Sequence, residues 1–427
     1  MKAFAAAAAA GLALAAGAAD LPRGGFLGVQ LGPVPNGTGA LVQALLPGGS
    51  AASVGLAKDD VVVGVNGAPV ATPADLVAGV GRLHAGDRIA LRYIRAGTGL
   101  EGSGTVVPRP YESAVDIDTA YEAIEVRGAL RRTLVTMPRA DGRHPAVLYL
   151  TGIGCFSQED ASLQSTESKL LYGLSRAGFV TMRVEKTGIG DSQGPSCASD
   201  AADFNLEVAG YMAGLKALRE RANVDPDRVF VLGLSIGGIE APLVAQEGGV
   251  RGVVVVNTLA RPFVEYVLET FRRQGRLGKV PFDELDRRMR RDERCIHEAL
   301  IEGRTDVVEK SPECAEPLGF PARLSFMRQW AAVDPAAEWK KVAAPVLIVH
   351  GGKDFVATGD TDAPLLRDIV EAFHPGNATL ALIPTMDHYL GHVATMEDSL
   401  AKTSGPFGAF EPALLDLVRD WLERHAG

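Results

Sequence analysis

The pattern of hydrophobic and polar positions divides the chain into three stretches. Residues 21–108 carry short alternating runs separated by glycine-rich turns, which predicts short strands with one solvated face, plus a helix starting at Pro73. Residues 121–126 and 130–137 also alternate, and this predicts edge strands, so a second sheet begins before residue 144. The chain therefore contains a small β-rich unit followed by a larger one.

From His144 onward, continuous apolar runs alternate with helical stretches. Unbroken Val/Ile/Leu runs are typical of a mostly parallel sheet covered by helices on both faces, so we expect an α/β fold. Between the runs at 253–256 and 345–350, the polar segment of about residues 260–338 predicts a helical cap inserted over the sheet. The predicted strands are 146–150, 178–184, 229–232, 253–256, 345–350 and 379–383.

The first 19 residues resemble a targeting segment. Lys2 precedes an uncharged apolar run from Ala3 to Ala16, and small residues follow just before Asp20, which is typical of a signal peptide. An uncleaved membrane anchor is the alternative, although the run is alanine-rich and short for a span of about 20 apolar residues. We expect an exported protein, periplasmic or secreted, with no membrane span after cleavage.

Composition narrows the function classes and the cysteine chemistry. The 427 residues carry a net charge of −9, which argues against a nucleic-acid partner because phosphate binding needs a basic face. Four cysteines allow three disulfide pairings. Cys155 and Cys197 follow consecutive predicted strands, while Cys295 and Cys314 share one charged segment, so we favour these two bridges. Zinc binding is the alternative, but the short Cys-x-x-Cys spacing is absent, and no metal or cofactor motif is found.

The most informative motif is Gly233-Leu-Ser-Ile-Gly237, between an apolar run and a small-residue helical stretch. Gly-x-Ser-x-Gly between a strand and a helix is a nucleophile elbow, whose sharp turn exposes the serine. With 49 glycines in the chain, a structural loop is the alternative. The flanking strand and helix favour Ser235 as a nucleophile.

A serine nucleophile needs a base, and the base needs an acid. Asp354 follows the strand at 345–350 and is the predicted acid, with Asp360 and Asp362 as weaker alternatives. His388 follows the last strand and is the predicted base. His392 is the alternative base, and we expect His350 to shape a turn. An ordinary turn role is the alternative for Asp354.

Residues 144–427 resemble the α/β-hydrolase family of serine esterases and peptidases. The resemblance is carried by the elbow, His350-Gly-Gly-Lys-Asp354, Met386-Asp-His388 and Gly188-Ile-Gly-Asp-Ser-Gln-Gly194, although Thr187 stands where many members have arginine. It implies two oxyanion donors: the amide of Ile236, after the nucleophile, and that of Ile153, in the loop after the third strand.

Residues 21–108 resemble a PDZ domain of the kind attached to exported HtrA-type proteases. The motifs are Gly25-Phe-Leu-Gly-Val29, the segment 49–61 and Val63-Gly-Val-Asn-Gly-Ala-Pro-Val70, although Asp59-Asp60 replaces Gly-Asp and no proline follows Ser50. The resemblance implies that the opening loop, Phe26, Leu27 and Gly28, holds a peptide carboxylate. A docking module that binds no free peptide remains the alternative.

These observations predict residues 1–19 as a signal peptide, 21–108 as a PDZ-like domain, and 109–427 as an α/β-hydrolase domain. The expected activity is cleavage of a carboxylic ester through an acyl-serine intermediate, by a Ser-His-Asp triad and without a cofactor. The substrate would be a small molecule or a peptide-ended compound. A serine peptidase that uses the PDZ-like unit to bind peptide ends is the first alternative, and a non-catalytic peptide-binding scaffold is the second.

Overall fold

A computed structural model describes residues 21–35, 37–357, 360–401 and 409–427, so the predicted signal peptide at 1–19 lies outside the described residues. Two sheets account for most of the strands, one within residues 29–105 and the other within residues 117–383. The division at residues 108 and 109, and the cap limits near residues 260 and 338, remain predictions.

The small unit is a twisted antiparallel sheet with one helix. Its strands run in the order β2-β3-β4-β6-β7, with β5 paired to β4, while β1 pairs with β8. Thr72 caps the helix and forms a reciprocal capping box with Asp75. The elements are β1 Gly25–Phe26, β2 Val29–Pro33, β3 Ala40–Leu45, β4 Val61–Val65, β5 Ala68–Pro69, α1 Pro73–Val80, β6 Arg88–Arg95, β7 Thr98–Thr105 and β8 Val107–Pro108.

The large unit is an eight-stranded sheet in the order β16-β15-β14-β13-β11-β12-β10-β9. Only β9 and β10 run antiparallel to their neighbours, and the other pairs are parallel. The mostly parallel sheet predicted from the sequence is confirmed. The strands are β9 Ile117–Val126, β10 Ala129–Pro138, β11 His144–Leu150, β12 Val180–Val184, β13 Val224–Leu234, β14 Gly252–Val256, β15 Val346–Gly351 and β16 Ala378–Ile383.

Helices cover both faces of this sheet, which explains the unbroken apolar strands. Alternate residues of β15 face opposite ways: Ile348 packs in the core under α3, α4 and α10, and Val349 packs in the core under α2 and α12. The helices are α2 Thr166–Arg176, α3 Phe204–Arg219, α4 Gly237–Ala245, α5 Phe263–Leu277, α6 Phe282–Ile296, α7 Val307–Lys310, α8 Leu324–Ala331, α9 Pro335–Trp339, α10 Asp362–Phe373, α11 Met396–Ala401 and α12 Pro412–Ala426.

Helices α5 to α9 lie between β14 and β15, in the segment that is predicted to form the cap. Phe263 anchors it: its ring lies 4.2 Å from that of Trp330 and 5.7 Å from that of Phe320. The Cys295–Cys314 disulfide joins the end of α6 to a short 3₁₀ turn. Arg287, Arg288 and Arg290 of α6 each pair with an acidic residue four positions earlier, as expected for a solvated face. None of the helices in the described ranges is long and apolar enough to cross a bilayer.

One buried arginine joins the small unit to the large sheet. Arg23 contacts Asp191 at 2.9 Å and also pairs with Glu159, and both carboxylates are buried. Its guanidinium lies over the ring of Tyr111, 4.4 Å from the centroid. Asp191 lies in the turn after β12, and Glu159 lies in the loop after β11. The residues just before β1 are therefore attached to two loops at the carboxyl edge of the large sheet.

Candidate active site

Ser235 lies at the tip of the sharp turn between β13 and α4. Its φ of +56° is in the left-handed region, where a non-glycine residue is strained. The turn requires the glycines that flank it: a Cβ at Gly233 would lie 2.2 Å from the carbonyl oxygen of Gly237, and one at Gly237 would lie 2.3 Å from that of Leu150. The motif therefore forms a tight elbow with the serine side chain at the carboxyl edge of the sheet.

Ser235, His388 and Asp354 are linked by hydrogen bonds. The Nε2 of His388 lies 3.1 Å from the Oγ of Ser235, and its Nδ1 lies 2.8 Å from the Oδ2 of Asp354. His388 is 8% exposed and Asp354 is 3% exposed, so water competes little for these contacts. The geometry allows Nε2 of His388 to take a proton from Ser235 while Asp354 binds the other ring nitrogen, Nδ1.

The second oxygen of Asp354 is fixed by the backbone. Oδ1 accepts hydrogen bonds from the amides of Val356 and Ala357, at 2.7 and 2.8 Å. The cap holds the same loop, because the hydroxyl of Tyr266 on α5 donates to the carbonyl of Val356 at 2.9 Å. The acid is thus held in one orientation by its own loop, and the cap supports that loop.

The carboxylate changes the acidity of the histidine. Burial alone would lower the pKa of His388, but the charge of Asp354 and the hydrogen bond to it raise the pKa above its ordinary value. Burial lowers the pKa of His350, which lies at the end of β15. Of these two buried histidines, only His388 makes a hydrogen bond to Asp354.

The structure separates the alternative residues from Ser235. His392 is bonded through Nδ1 to Glu411 at 2.7 Å, and its side chain is 55% exposed. Asp360 pairs with Arg273 on the cap, and Asp362 pairs with Arg261. Each of these three residues therefore has a structural partner. The described ranges also contain no group of three His, Cys, Asp or Glu side chains placed to hold a metal ion.

Two backbone amides near Ser235 remain available as donors. Ile236 precedes the first residue of α4, and Ile153 lies in the loop after β11. Within the described ranges, neither amide donates to another protein atom. A Cβ built on Gly152 would lie 3.9 Å from the Cβ of Ser235, so the Ile153 loop runs close to the serine. The assignment of these two amides to an oxyanion site remains a prediction.

The Cys155–Cys197 disulfide forms at this same edge. It joins the loop that follows β11 to the segment that follows β12, and Cys155 lies two residues after Ile153. Both bridges favoured from the sequence are therefore present. In this position the first bridge limits how far the Ile153 loop can move.

The predicted carboxylate loop begins at Phe26, the last residue of β1, and continues through Leu27 and Gly28 to β2. Carbonyls of this loop are occupied, because Phe26 and Leu27 accept hydrogen bonds from the amides of Ser50 and Ala51. The amides of Leu27 and Gly28 have no acceptor within the described ranges. Among the described strands β2 pairs with β3 alone, and α1 packs beside it. The loop thus offers donors next to an open strand edge.

Several residues that hold the site together carry no motif by which the sequence alone would identify them. Asn257, at the end of β14, donates to the carbonyl of Asp387 at 2.8 Å and accepts from the amide of Gly351 at 2.8 Å. It therefore joins the loop of the base to the strand of the acid. The hydroxyl of Thr258 donates to the carbonyl of Ser235 at 2.8 Å. Asn257 directly follows the apolar run 253–256, and a polar residue at the end of a buried strand is the pattern that could have indicated a role at this edge of the sheet.

Comparisons with known proteins identify both units. Residues 147–402 match the model of the alpha/beta hydrolase family, which is more than half of the chain. The chain belongs to the α/β-hydrolase family. Residues 25–103 match the model of the PDZ domain. Both resemblances drawn from the motifs are confirmed.

The chain is similar to three characterised proteins over parts of its length. Esterase EstD of Thermotoga maritima is 25% identical over 241 residues, which cover 55% of this chain and 52% of EstD. The periplasmic serine endoprotease DegP of Salmonella typhimurium is 33% identical over 87 residues, covering 20% of this chain and 18% of DegP. The chain thus spans about half of EstD and less than a fifth of DegP. Est1E from Butyrivibrio proteoclasticus, solved with ferulic acid bound, aligns with a TM-score of 0.46 and 16% identity over 71% of this chain and 98% of that one.

Proposed function

We propose that this protein is an exported serine hydrolase that cleaves a carboxylic ester through an acyl intermediate on Ser235. The observation that supports the proposal most is the hydrogen-bonded series Ser235–His388–Asp354, in which Ser235 lies on a strained elbow. These three side chains come from loops that follow three different strands, and their hydrogen-bonded order supports a catalytic triad.

In the first half of the reaction, His388 takes the proton of Ser235 through Nε2 while Oγ attacks the ester carbonyl carbon. The carbonyl oxygen becomes an oxyanion and accepts hydrogen bonds from the amides of Ile236 and Ile153. The tetrahedral intermediate collapses, the bond to the alkoxy oxygen breaks, and His388 gives its proton to the leaving alcohol. Asp354 stabilises the imidazolium that forms between the two proton transfers.

In the second half, water replaces the alcohol. His388 takes a proton from the water, whose oxygen attacks the acyl carbon on Ser235. The second tetrahedral intermediate breaks its bond to Oγ, and His388 returns the proton to Ser235. A carboxylic acid leaves, and the enzyme regains its starting protonation state.

The similarity to EstD supports an ester as the substrate of the large unit. The similarity of the small unit to part of DegP favours one specific alternative, a peptidase whose PDZ domain binds peptide ends at Leu27 and Gly28. The open edge of β2 supports peptide binding by strand addition under either hypothesis. Export is supported by the two disulfides and by the similarity to a periplasmic protein.

Parallel assays of p-nitrophenyl acetate and of peptide p-nitroanilides test this proposal. We expect turnover of the ester, little turnover of the anilides, and loss of ester turnover in Ser235→Ala. Ser103→Ala, an exposed serine of β7, is the matched control and should behave like the parent protein. Preferred cleavage of the anilides would support the peptidase, and no turnover of either compound would support the non-catalytic scaffold.

A further inference from the structure

Lys186 is a buried lysine in the turn after β12, and its ammonium group contacts the loop that carries Ile153. Nζ donates to the carbonyl oxygen of Gly152 at 2.8 Å, and the side chain is only 2% exposed. A lysine so deeply buried loses most of its hydration, so its charge needs partners on the protein. One partner of the Lys186 ammonium is a backbone carbonyl, that of Gly152, and not a side chain.

That carbonyl belongs to the same peptide unit as the Ile153 amide. The described residues contain no cis peptide bond, and in a trans peptide the C=O and N–H bonds point in opposite directions. A cation that holds the Gly152 oxygen on its own side therefore turns the Ile153 N–H to the other side. The amide of Thr151 donates to the hydroxyl of Tyr211 on α3 at 3.3 Å, which holds the Leu150–Thr151 peptide at the start of this loop.

Glu207 on α3 is the ionic partner of Lys186, with Oε1 2.8 Å from Nζ, in contact as an ion pair but poorly aligned for a hydrogen bond. Other ionisable side chains lie nearby: burial lowers the pKa of Arg131 to about 10, and it raises the pKa values of Glu185 and Glu240. The contact between Nζ and the Gly152 carbonyl, and not the net charge of this region, orients the Ile153 peptide.

We infer that Lys186 is a positioning residue for ester hydrolysis: by binding the Gly152 carbonyl it orients the Ile153 amide toward the oxyanion. The inference rests on the proposed function, because the oxyanion exists only if Ser235 attacks a carbonyl. Lys186 itself contacts no reacting atom. Its effect should therefore appear in the transition state and not in the binding of substrate.

The test uses the full chain and p-nitrophenyl acetate. Lys186→Met keeps the apolar stem and removes the ammonium, and Lys186→Met/Glu207→Gln also removes the carboxylate that would be left unpaired. We expect both variants to lose about 10- to 100-fold in kcat with KM changed less than about threefold, because a misplaced oxyanion donor weakens only the transition state. Lys216→Met, at an exposed position of α3, is the matched control and should retain parent activity.

Inhibition by phenylboronic acid separates positioning from a merely structural role. The boronate forms a tetrahedral adduct with serine, so its Ki should rise by the same factor as kcat/KM falls, even in a double variant whose melting temperature equals that of the parent. A folded double variant with kcat within threefold of the parent, or with an unchanged Ki, would overturn the inference alone. A parent protein without Ser235-dependent turnover would overturn the proposed function and the inference together.

Discussion

Replacement of Asp354 by asparagine should disable His388 without disturbing the fold. Oδ1 of Asp354 accepts two backbone amides, and Oδ2 accepts the Nδ1–H of His388. Asparagine has a single oxygen, and it can satisfy only one of these two sides. If that oxygen stays with the amides, the NH₂ group faces Nδ1, which must then accept a hydrogen bond. The ring proton moves to Nε2, and His388 donates to Ser235 instead of accepting from it.

The hydrogen-bond count gives the size of the effect. The opposite orientation of the amide would keep the His388 bond but leave two buried N–H groups facing an NH₂ group, at about 1–3 kcal/mol each. With about 1.4 kcal/mol per factor of ten, the inactive tautomer is favoured by roughly 30-fold to 10⁴-fold. The loss of the negative charge that stabilises the imidazolium adds to this. We therefore expect kcat to fall by about 10³–10⁴-fold in Asp354→Asn.

Steady-state hydrolysis of p-nitrophenyl acetate measures this loss, and ¹⁵N NMR of the imidazole reports which nitrogen carries the proton. Asp360→Asn is the matched control, because Asp360 was the alternative acid and its side chain is 70% exposed. Its activity should stay within about threefold of the parent. The reasoning is refuted if Asp354→Asn keeps activity within tenfold of the parent, or if its proton remains on Nδ1.

His388, its alternative His392 and the buried Arg23 can each be tested separately. Activity needs a neutral His388, whose pKa is raised above 6.5 by Asp354, so kcat/KM should rise with pH with a midpoint above 6.5; a midpoint at or below 6.5 would contradict this. His388→Ala should lower kcat by about 10³-fold or more, while His392→Ala should change it less than fivefold, and the reverse order would show that the base is wrong. Arg23→Met should lower the free energy of unfolding in urea by about 3 kcal/mol, since two buried carboxylates lose a partner, and a change below 1 kcal/mol would contradict that.

Local patterns predicted most elements of the large sheet. The valine run of β14 and the apolar run of β15 are unambiguous because strands buried on both faces have no polar positions. Helix limits depend on the caps: α2 begins at Thr166 because the Ser165 side chain accepts a hydrogen bond from the amide of Ser168. The elbow was also predictable, because a Cβ at Gly233 or Gly237 would clash with the backbone and both glycines lie within five consecutive residues.

The choice among acids and bases depended on contacts that spacing alone does not determine. His388 and His392 both follow β16, and only the fold shows that the first contacts Ser235 and the second contacts Glu411. The catalytic roles of Ser235, His388 and Asp354 remain predictions, although the structure brings these three side chains together.

Long-range ionic contacts were beyond prediction from sequence. A lysine in a turn is usually solvated, so nothing marked Lys186 as buried against Gly152. Arg23 was not singled out either, because its partners Glu159 and Asp191 are distant in sequence and lie on loops after separate strands. This contact places the small unit against the same loops that hold the site.

The central claim, that Ser235 is the nucleophile, is tested most directly by labelling the protein with a fluorophosphonate and locating the adduct by peptide mass spectrometry. The account predicts one adduct per chain, on the peptide that contains Ser235, with labelling lost in Ser235→Ala and strongly slowed in His388→Ala. An adduct on another residue, or an unlabelled parent protein shown to be folded, would contradict it.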